Sequence, residues 1–253
     1  LEKVATESSL KSGPIPPMGG GRGYPPLLHG NDEYVVTYDG PNDPLHPMNW
    51  PTLDKLKICL CVGLLALSCT LASGFFSAAI PGIMKEFHVG ETVGTLGTSL
   101  YVFGFASGPI IWGPLSELYG RSPVLFMSLF GYTCFAFAVA TAKDIQTVMI
   151  CRFMNGFIGA APLVVAPGAM ADIFNNEQRG SAVSIFAIII FGGPMCAPVF
   201  GGFTAKNPHL GWRWCSYFSG IVGVISLIAF VLFFKETHHA IVLVGRAEKI
   251  RRR

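Results

Sequence analysis

The chain has 253 residues and a formal net charge of +3, with 51% hydrophobic and only 13% charged residues. Soluble domains carry about 25% charged residues, and the charges here are missing in blocks, so the composition excludes an ordinary soluble domain and indicates a polytopic membrane protein. The basic residues do not line one stripe, and nucleic acid is therefore not an expected partner.

The first part of the chain differs from the rest. Residues 1–51 are rich in Gly, Pro, Ser and charge, as in "KSGPIPPMGGGRGYPP", and they lack apolar periodicity. Such a segment buries too little apolar surface to fold, so we predict a disordered soluble tail. The chain begins at Leu1 rather than at Met and stops in "KIRRR", and we therefore expect a fragment of a longer protein.

Six long apolar runs follow the tail. Each can cross about 30 Å of hydrocarbon as a helix. The runs do not alternate apolar and polar residues, which excludes a closed barrel and leaves helices as the structure that pairs its backbone inside lipid. We predict an all-α integral membrane protein with a six-transmembrane-helix region over residues 52–237. The charge-free windows, called spans one to six below, are 58–84, 92–116, 122–142, 153–171, 180–205 and 214–234.

The basic residues predict the orientation. Short connections make sequential spans antiparallel, and the membrane side with more Lys and Arg is cytosolic. One side holds Lys55, Lys57, Arg121, Arg179 and the basic residues after span six, whereas the other holds Lys85, Lys143, Lys206 and Arg213. We therefore predict that both termini are cytosolic.

Arg152 is the most informative single residue. A lipid-facing guanidinium at this depth would cost at least about 2.5 kcal/mol, so the side chain is expected to face the bundle interior or a watery cavity. Asn155, Gly156 and Gly159 follow at the spacing of one helix face. This stripe predicts the lining of a polar transport path. The alternative is an arginine at the end of a span that snorkels to the membrane surface.

Span five is predicted to bend. Its stretch "GGPMCAPVFGG" contains Gly193, Pro194, Pro198, Gly201 and Gly202, and prolines four residues apart remove backbone donors and clash with the preceding turn. Span two carries a comparable "GPIIWGP". If the six spans are two inverted three-helix repeats, spans two and five correspond, and matched broken helices indicate a transport pathway.

Two short acid–base hinges are expected on the cytosolic face. "GPLSELYGRSP" joins spans two and three, with Glu117 and Arg121 on either side of Gly120, and Asp172 and Arg179 flank the link between spans four and five. Exposed ion pairs between the hinges would be worth about 0–1 kcal/mol each, which suits a latch that must open. The alternative is an ordinary solvated loop.

Several motifs in the same order resemble those of the major facilitator superfamily, in particular its fungal drug:proton antiporters with twelve spans. The resemblance begins at "VVTYDGPNDPLHPMNWP". It includes "GPLSELYGRSP", in which Gly113, Leu115, Glu117, Gly120 and Arg121 fall on the fixed positions of the loop motif. "CRFMNGFIGAAPL" is similar to the span-four motif, "GGPMCAPVFGG" to the antiporter motif of span five, and "GWRWCSYFSGI" and "KETHH" to the two ends of span six.

The resemblance implies that the loop motif is a conformational latch, that Arg152 helps to couple proton movement, and that the span-five bend shapes the cavity. It also implies that residues 238–253 begin a cytosolic linker to a missing C-terminal six-helix half, in a multi-pass protein of the plasma membrane. The chain departs from the family pattern at Leu118, Ser122, Asn155 and Ala197, and "TLASGFFSAAIP" of span one offers no acid as a proton carrier.

The sequence is compatible with three functions. The leading hypothesis is the N-terminal half of a proton-coupled exporter of small amphipathic molecules, which is driven by the proton gradient without a cofactor or metal and is inactive alone. A half-length membrane protein that dimerises with or regulates other transporters is the second. An intramembrane enzyme is the third, and it is disfavoured because Glu117 and Asp172 lie at the rim and His88 lies on the far side.

Overall fold

The structure is a computed structural model that describes residues 36–38, 40, 42–207 and 210–251. Within these residues the regular structure is entirely helical, which confirms the all-α prediction. The predicted tail lies largely outside the described residues, and the division into 1–51, 52–237 and 238–253 stays a prediction. After a short 3-10 helix, Pro47–Asn49, the helices are α1 Thr52–Phe87, α2 Glu91–Ser107, α3 Pro109–Tyr119, α4 Arg121–Thr141, α5 Ile145–Gly159, α6 Ala161–Ile173, α7 Asn176–Lys206, α8 Arg213–Phe233 and α9 His239–Arg251.

The helices form the six predicted spans. Spans one, three, five and six are α1, α4, α7 and α8, and span four is the nearly continuous pair α5–α6; each is long and apolar enough to cross a membrane. Span two consists of the shorter helices α2 and α3, which meet at Gly108. The break falls where Pro109 has no N–H to continue the backbone ladder of α2.

Packing between the spans has a two-fold pattern. The most extensive contacts join span one to spans five and six, span four to spans two and three, and span three to span six. Exchanging spans one, two and three with spans four, five and six reproduces the same set of pairs. Because neighbouring spans are antiparallel, this is the arrangement of two inverted three-helix repeats.

The spans differ in how far the bundle covers them. Span one is buried over most of its length, whereas span five is largely exposed. The exposed side of span five carries large apolar side chains: Ile188, Phe191, Met195 and Phe203. Span five therefore presents an apolar face to whatever surrounds the six-span bundle.

Candidate functional site

Arg152 lies inside the bundle. Its helix α5 begins at Ile145, so the residue is seven positions, or about 10 Å, from the start of span four. The side chain is 3% exposed, and its two terminal nitrogens donate hydrogen bonds to the Ala72 carbonyl of span one at 3.3 and 3.4 Å. A snorkelling arginine would reach toward solvent, so this alternative does not describe the side chain.

Two aromatic rings hold the guanidinium between them. Its Cζ atom lies 4.0 Å from the ring centroid of Phe76 in span one and 4.4 Å from that of Tyr101 in span two. A desolvated cation on an aromatic face gains about 2 kcal/mol or more from each favourable contact. The rings therefore compensate part of the cost of burying a charge that has no carboxylate partner among the described residues.

A glycine brings span two this close to span four. The Tyr101 carbonyl lies where a Cβ at Gly156 would be, so no larger residue fits without a shift of the backbone. Gly159, one turn further on, faces the ring of Tyr132 in span three, and a Cβ there would approach the ring to 2.9 Å. Small residues permit such close helix contacts in membranes, where lipid supplies no hydrophobic drive.

The polar atoms of this region are incompletely paired. Arg152 Nε and Asn155 Oδ1 are both buried and have no hydrogen-bond partner among the described residues. Both residues line a cavity with about 10 Å³ for the centre of a water molecule, which also touches Ser216 and Ser219 of span six. One water fits that space, and it would meet several polar groups there.

Tyr132 completes the polar region at mid-bundle. Its hydroxyl donates to the Ser68 carbonyl at 2.7 Å and lies 2.7 Å from Ser219 Oγ, while the Tyr101 hydroxyl donates to the Cys69 carbonyl at 2.6 Å. Sequence reasoning missed Phe76, Tyr101 and Tyr132. The only signal for them is the frequency of aromatic residues in the spans, which gives no indication of which rings face a buried cation.

One of the expected cross-pairs between the two hinges is present. Arg121 Nε lies 3.4 Å from Asp172 Oδ2, and both side chains are less than one fifth exposed. The guanidinium also donates to Ser116 Oγ at 3.0 Å. Glu117 and Arg179 are exposed and are not paired with each other among the described residues. Gly113 faces span four, where a Cβ would come within 3.5 Å of Val164.

Glu236 also contacts the start of span three, and the sequence did not indicate it. It follows span six, and its carboxylate accepts the backbone N–H groups of Arg121 at 3.0 Å and Ser122 at 2.9 Å. The first N–H groups of a helix lack intrahelical partners and attract negative charge. Gly120, the residue before α4, has no side chain to cap them and adopts a φ of +96°, so the acid comes from elsewhere in the chain. The absence of a capping side chain at Gly120 was the one indication in the sequence that a residue from elsewhere caps this helix.

Span five packs on span one through small residues. Gly193 and Gly201 face Thr70 and Ala78 respectively, and a Cβ on Gly74 would come within 2.5 Å of the Cβ of Ala197 between them. Pro194 and Pro198 lie inside the single helix α7, and Gly202 faces open space. Both prolines take part in the contact with span one, because a Cβ on Gly74 would come within 3.1 Å of the Pro194 carbonyl oxygen and 3.2 Å of Pro198 Cδ. The predicted bend stays a prediction.

Comparison with known proteins identifies the class. The chain belongs to the Major Facilitator Superfamily, whose family profile matches residues 62–253. The resemblance expected from the motifs is thereby confirmed, and so is the expectation of a multi-pass membrane protein.

Two Candida relatives cover most of the chain. The "Major facilitator superfamily multidrug transporter FLU1" of Candida albicans is 58% identical over 252 residues, which is 100% of this chain and 41% of the relative. The "Multidrug transporter TPO1_2" of Candida glabrata is 48% identical over 237 residues, which is 94% of this chain and 41% of the relative. The chain thus spans about two fifths of the length of these relatives.

Solved structures agree on the fold. The proton:xylose symporter XylE matches with a TM-score of 0.68 at 16% identity, over 79% of this chain and 50% of that chain. The human organic anion transporter MFSD10 matches with a TM-score of 0.61 at 18% identity, over 74% of this chain and 49% of that chain. At this identity the likeness concerns the fold, and in both cases it extends over about half of a transporter.

Proposed function

We propose that the chain is the N-terminal half of a proton-coupled exporter of small amphipathic organic molecules, and that it transports nothing without a second six-helix half. The multidrug transporters to which it is similar, and the two fifths of their length that it spans, support this proposal. The observation that carries it is the buried guanidinium of Arg152, whose Nε is unpaired beside a cavity in the bundle.

Arg152 is proposed to act on protons without carrying one. A guanidinium stays protonated, but its fixed charge lowers the proton affinity of an acid that approaches it. Asn155 Oδ1 can orient water or a polar substrate group in the same cavity. The stripe Arg152, Asn155, Gly156 and Gly159 would then form one wall of the transport path, and the proton gradient would be the driving force.

The latch is proposed to hold one conformation of the transporter. The Arg121–Asp172 pair and the Glu236 cap tie together the cytosolic ends of spans three, four and six. Partly exposed ion pairs contribute about 0–1 kcal/mol, so the latch can open during a transport cycle. Gly113, Glu117, Gly120 and Arg179 are proposed to shape its loops, and the span-five residues to shape the cavity.

A groove on the proposed cytosolic side supports the proposal that the substrate is amphipathic. It has a volume of about 560 Å³, within the range of about 300–1,000 Å³ for small-molecule sites, and lies between the cytosolic ends of spans one, four and five. Apolar side chains such as Leu60 and Ile189 line it together with the charged Lys55 and Glu177. A molecule with an apolar body and a polar end fits such a lining.

We place the protein in the plasma membrane with both termini in the cytosol, and no chemical bond of the substrate is broken.

The test is transport by the chain joined to a second six-span half in liposomes, with an amphipathic fluorescent dye as the probe and an imposed pH gradient. Dye movement that requires the gradient and is lost in Arg152→Gln supports the proposal. Gradient-driven dye movement by the 253-residue chain alone would refute the inactive-half part of it.

A second candidate is a half-length membrane protein that dimerises with or regulates other transporters. The exposed apolar side of span five favours it, because such a face could pack against a second copy as well as against a second half. Sedimentation of the purified chain in detergent distinguishes the two. A stable dimer without transport activity favours this candidate.

A further inference from the structure

The segment before span one packs against the helix after span six. The docking segment consists of residues 36–38, 40 and 42–50, and the linker helix is α9, His239–Arg251. Asp43 Oδ2 accepts a hydrogen bond from Arg246 Nη1 at 3.1 Å, and both side chains are at most 4% exposed. Arg246 also donates to the Thr37 carbonyl at 3.2 Å. A buried ion pair between two segments outside the membrane spans is a specific contact, since an unmatched charge would be costly there.

Three rings form a second contact next to the ion pair. The ring centroids of Tyr38 and His46 are 4.7 Å apart, and those of His46 and His239 are 4.8 Å apart. The Tyr38 hydroxyl also donates to the His239 carbonyl at 3.4 Å. The docking segment therefore contacts the first residue of the linker helix and, two turns further along, Arg246.

Hydrogen bonds within the docking segment fix the position of Asp43. The second carboxylate oxygen, Oδ1, accepts the Leu45 N–H at 2.8 Å, and the Asp43 carbonyl accepts the Asn49 side-chain amide at 3.0 Å. Lys55 at the start of span one donates to the Met48 carbonyl at 2.8 Å. The sequence "DPLHPMNW" thus forms a compact turn that is attached to span one on one side and to the linker helix on the other.

We infer that the docking segment is the binding partner of the linker helix and clamps it to the cytosolic face of the six-span bundle. The linker helix begins three residues after Glu236, whose carboxylate caps span three. Holding the linker in place therefore also holds Glu236 on the latch. The docking itself is independent of what the protein transports, whereas its effect on the latch rests on the latch proposed above.

Hydrogen exchange of the chain in detergent micelles tests this inference. Arg246→Gln removes the charge from the linker side, and Asp43→Asn removes it from the docking side while keeping an oxygen for the Leu45 N–H. We expect exchange at least about tenfold faster in the peptides of residues 240–247 for both variants, since local opening sets the rate. Peptides that contain the amides of Arg121 and Ser122 should also exchange faster. Lys249→Gln, an exposed change on the same helix, should leave both regions unchanged.

Each result decides part of the inference. Unchanged exchange in the linker helix of both variants overturns the clamp. Faster exchange in the linker with unchanged exchange at Arg121 and Ser122 overturns the link to the latch. Amides of span one report whether each variant is folded, and if Arg246→Gln does not fold, the milder Asp43→Asn decides. Because no transport is measured, failure of the proposed export function would not affect the result.

Discussion

Arg152 and Phe76 face each other across the contact between spans four and one, with the guanidinium carbon 4.0 Å from the ring centroid. The pair places a full positive charge inside the six-span bundle. Such a charge is expensive to keep, and in membrane proteins it marks a functional position more often than a structural one.

Replacing Arg152 by Met should separate function from stability. Met fills a similar volume without a charge to bury, so we expect the apparent melting temperature in detergent to be unchanged or higher, as for buried ionic groups whose replacement is neutral or stabilising by about 1–4 kcal/mol. Gradient-driven dye transport by the two-half protein should be lost. A variant that melts much earlier but still transports would give Arg152 a structural role instead.

Gly156→Ala should destabilise the bundle. The new methyl group would occupy the position of the Tyr101 carbonyl, and we expect a loss of about 1–3 kcal/mol in unfolding free energy from overpacking. Gly202→Ala is the matched control, because nothing lies within 4 Å of a Cβ there and alanine is the better helix former by about 0.5–1 kcal/mol. Thermal unfolding in detergent measures both. Equal effects of the two variants would contradict the close approach of spans two and four.

Glu236→Gln should weaken the start of span three. Each carboxylate oxygen accepts one of the two backbone N–H groups, so the amide keeps one of these hydrogen bonds and loses the other together with the charge that complements the helix N-terminus. We therefore expect a loss of about 1–2 kcal/mol. Glu117→Gln changes an exposed acid of the same region and should have little effect. Denaturant unfolding in mixed micelles compares the two. A larger loss from Glu117→Gln would show that the latch is built differently.

Acidification should loosen the linker helix through His239. Burial lowers the pKa of His239, the carboxylate of Asp172 partly opposes this, and the neighbouring His46 and His238 lower it further. Below the unperturbed histidine pKa of about 6.5, the docked state therefore binds fewer protons than the free linker. Docking is expected to weaken as the pH falls below this value and to be unaffected above it. Protection factors of the linker amides at pH 7.5 and 5.5 test this. His239→Gln should reduce the pH dependence, and an undiminished dependence would contradict the assignment to this residue.

The sequence predicted the spans better than it predicted the contacts between them. Charge-free windows located all six spans, but the window of span four began after Arg152, because a charge ends such a window whereas the helix continues back to Ile145. The face shared by Arg152 and Asn155 followed from helical spacing. Its partners Phe76 and Tyr101 could not be predicted, since they lie on other spans and depend on how the bundle packs.

The contacts of the proposed latch and of the docking segment could likewise be predicted only in part. Arg121 and Asp172 were expected on one membrane face, and they do meet. Glu236 and Arg246 act on residues more than 100 positions away, at Arg121 and Asp43, and no local pattern indicates such pairs. These contacts form only because span six returns the chain to the end of the bundle where Arg121 and Asp43 lie.

Proton movement during dye transport tests the central proposal most directly. Liposomes would contain either the 253-residue chain alone or the chain joined to a second six-span half, with a pH-sensitive dye inside and the amphipathic probe on one side. We predict probe-dependent proton flux with the two-half protein, none with the single half, and none with the two-half Arg152→Met variant. Proton-coupled transport by the single half, or transport by the two-half protein without any proton flux, would contradict the account.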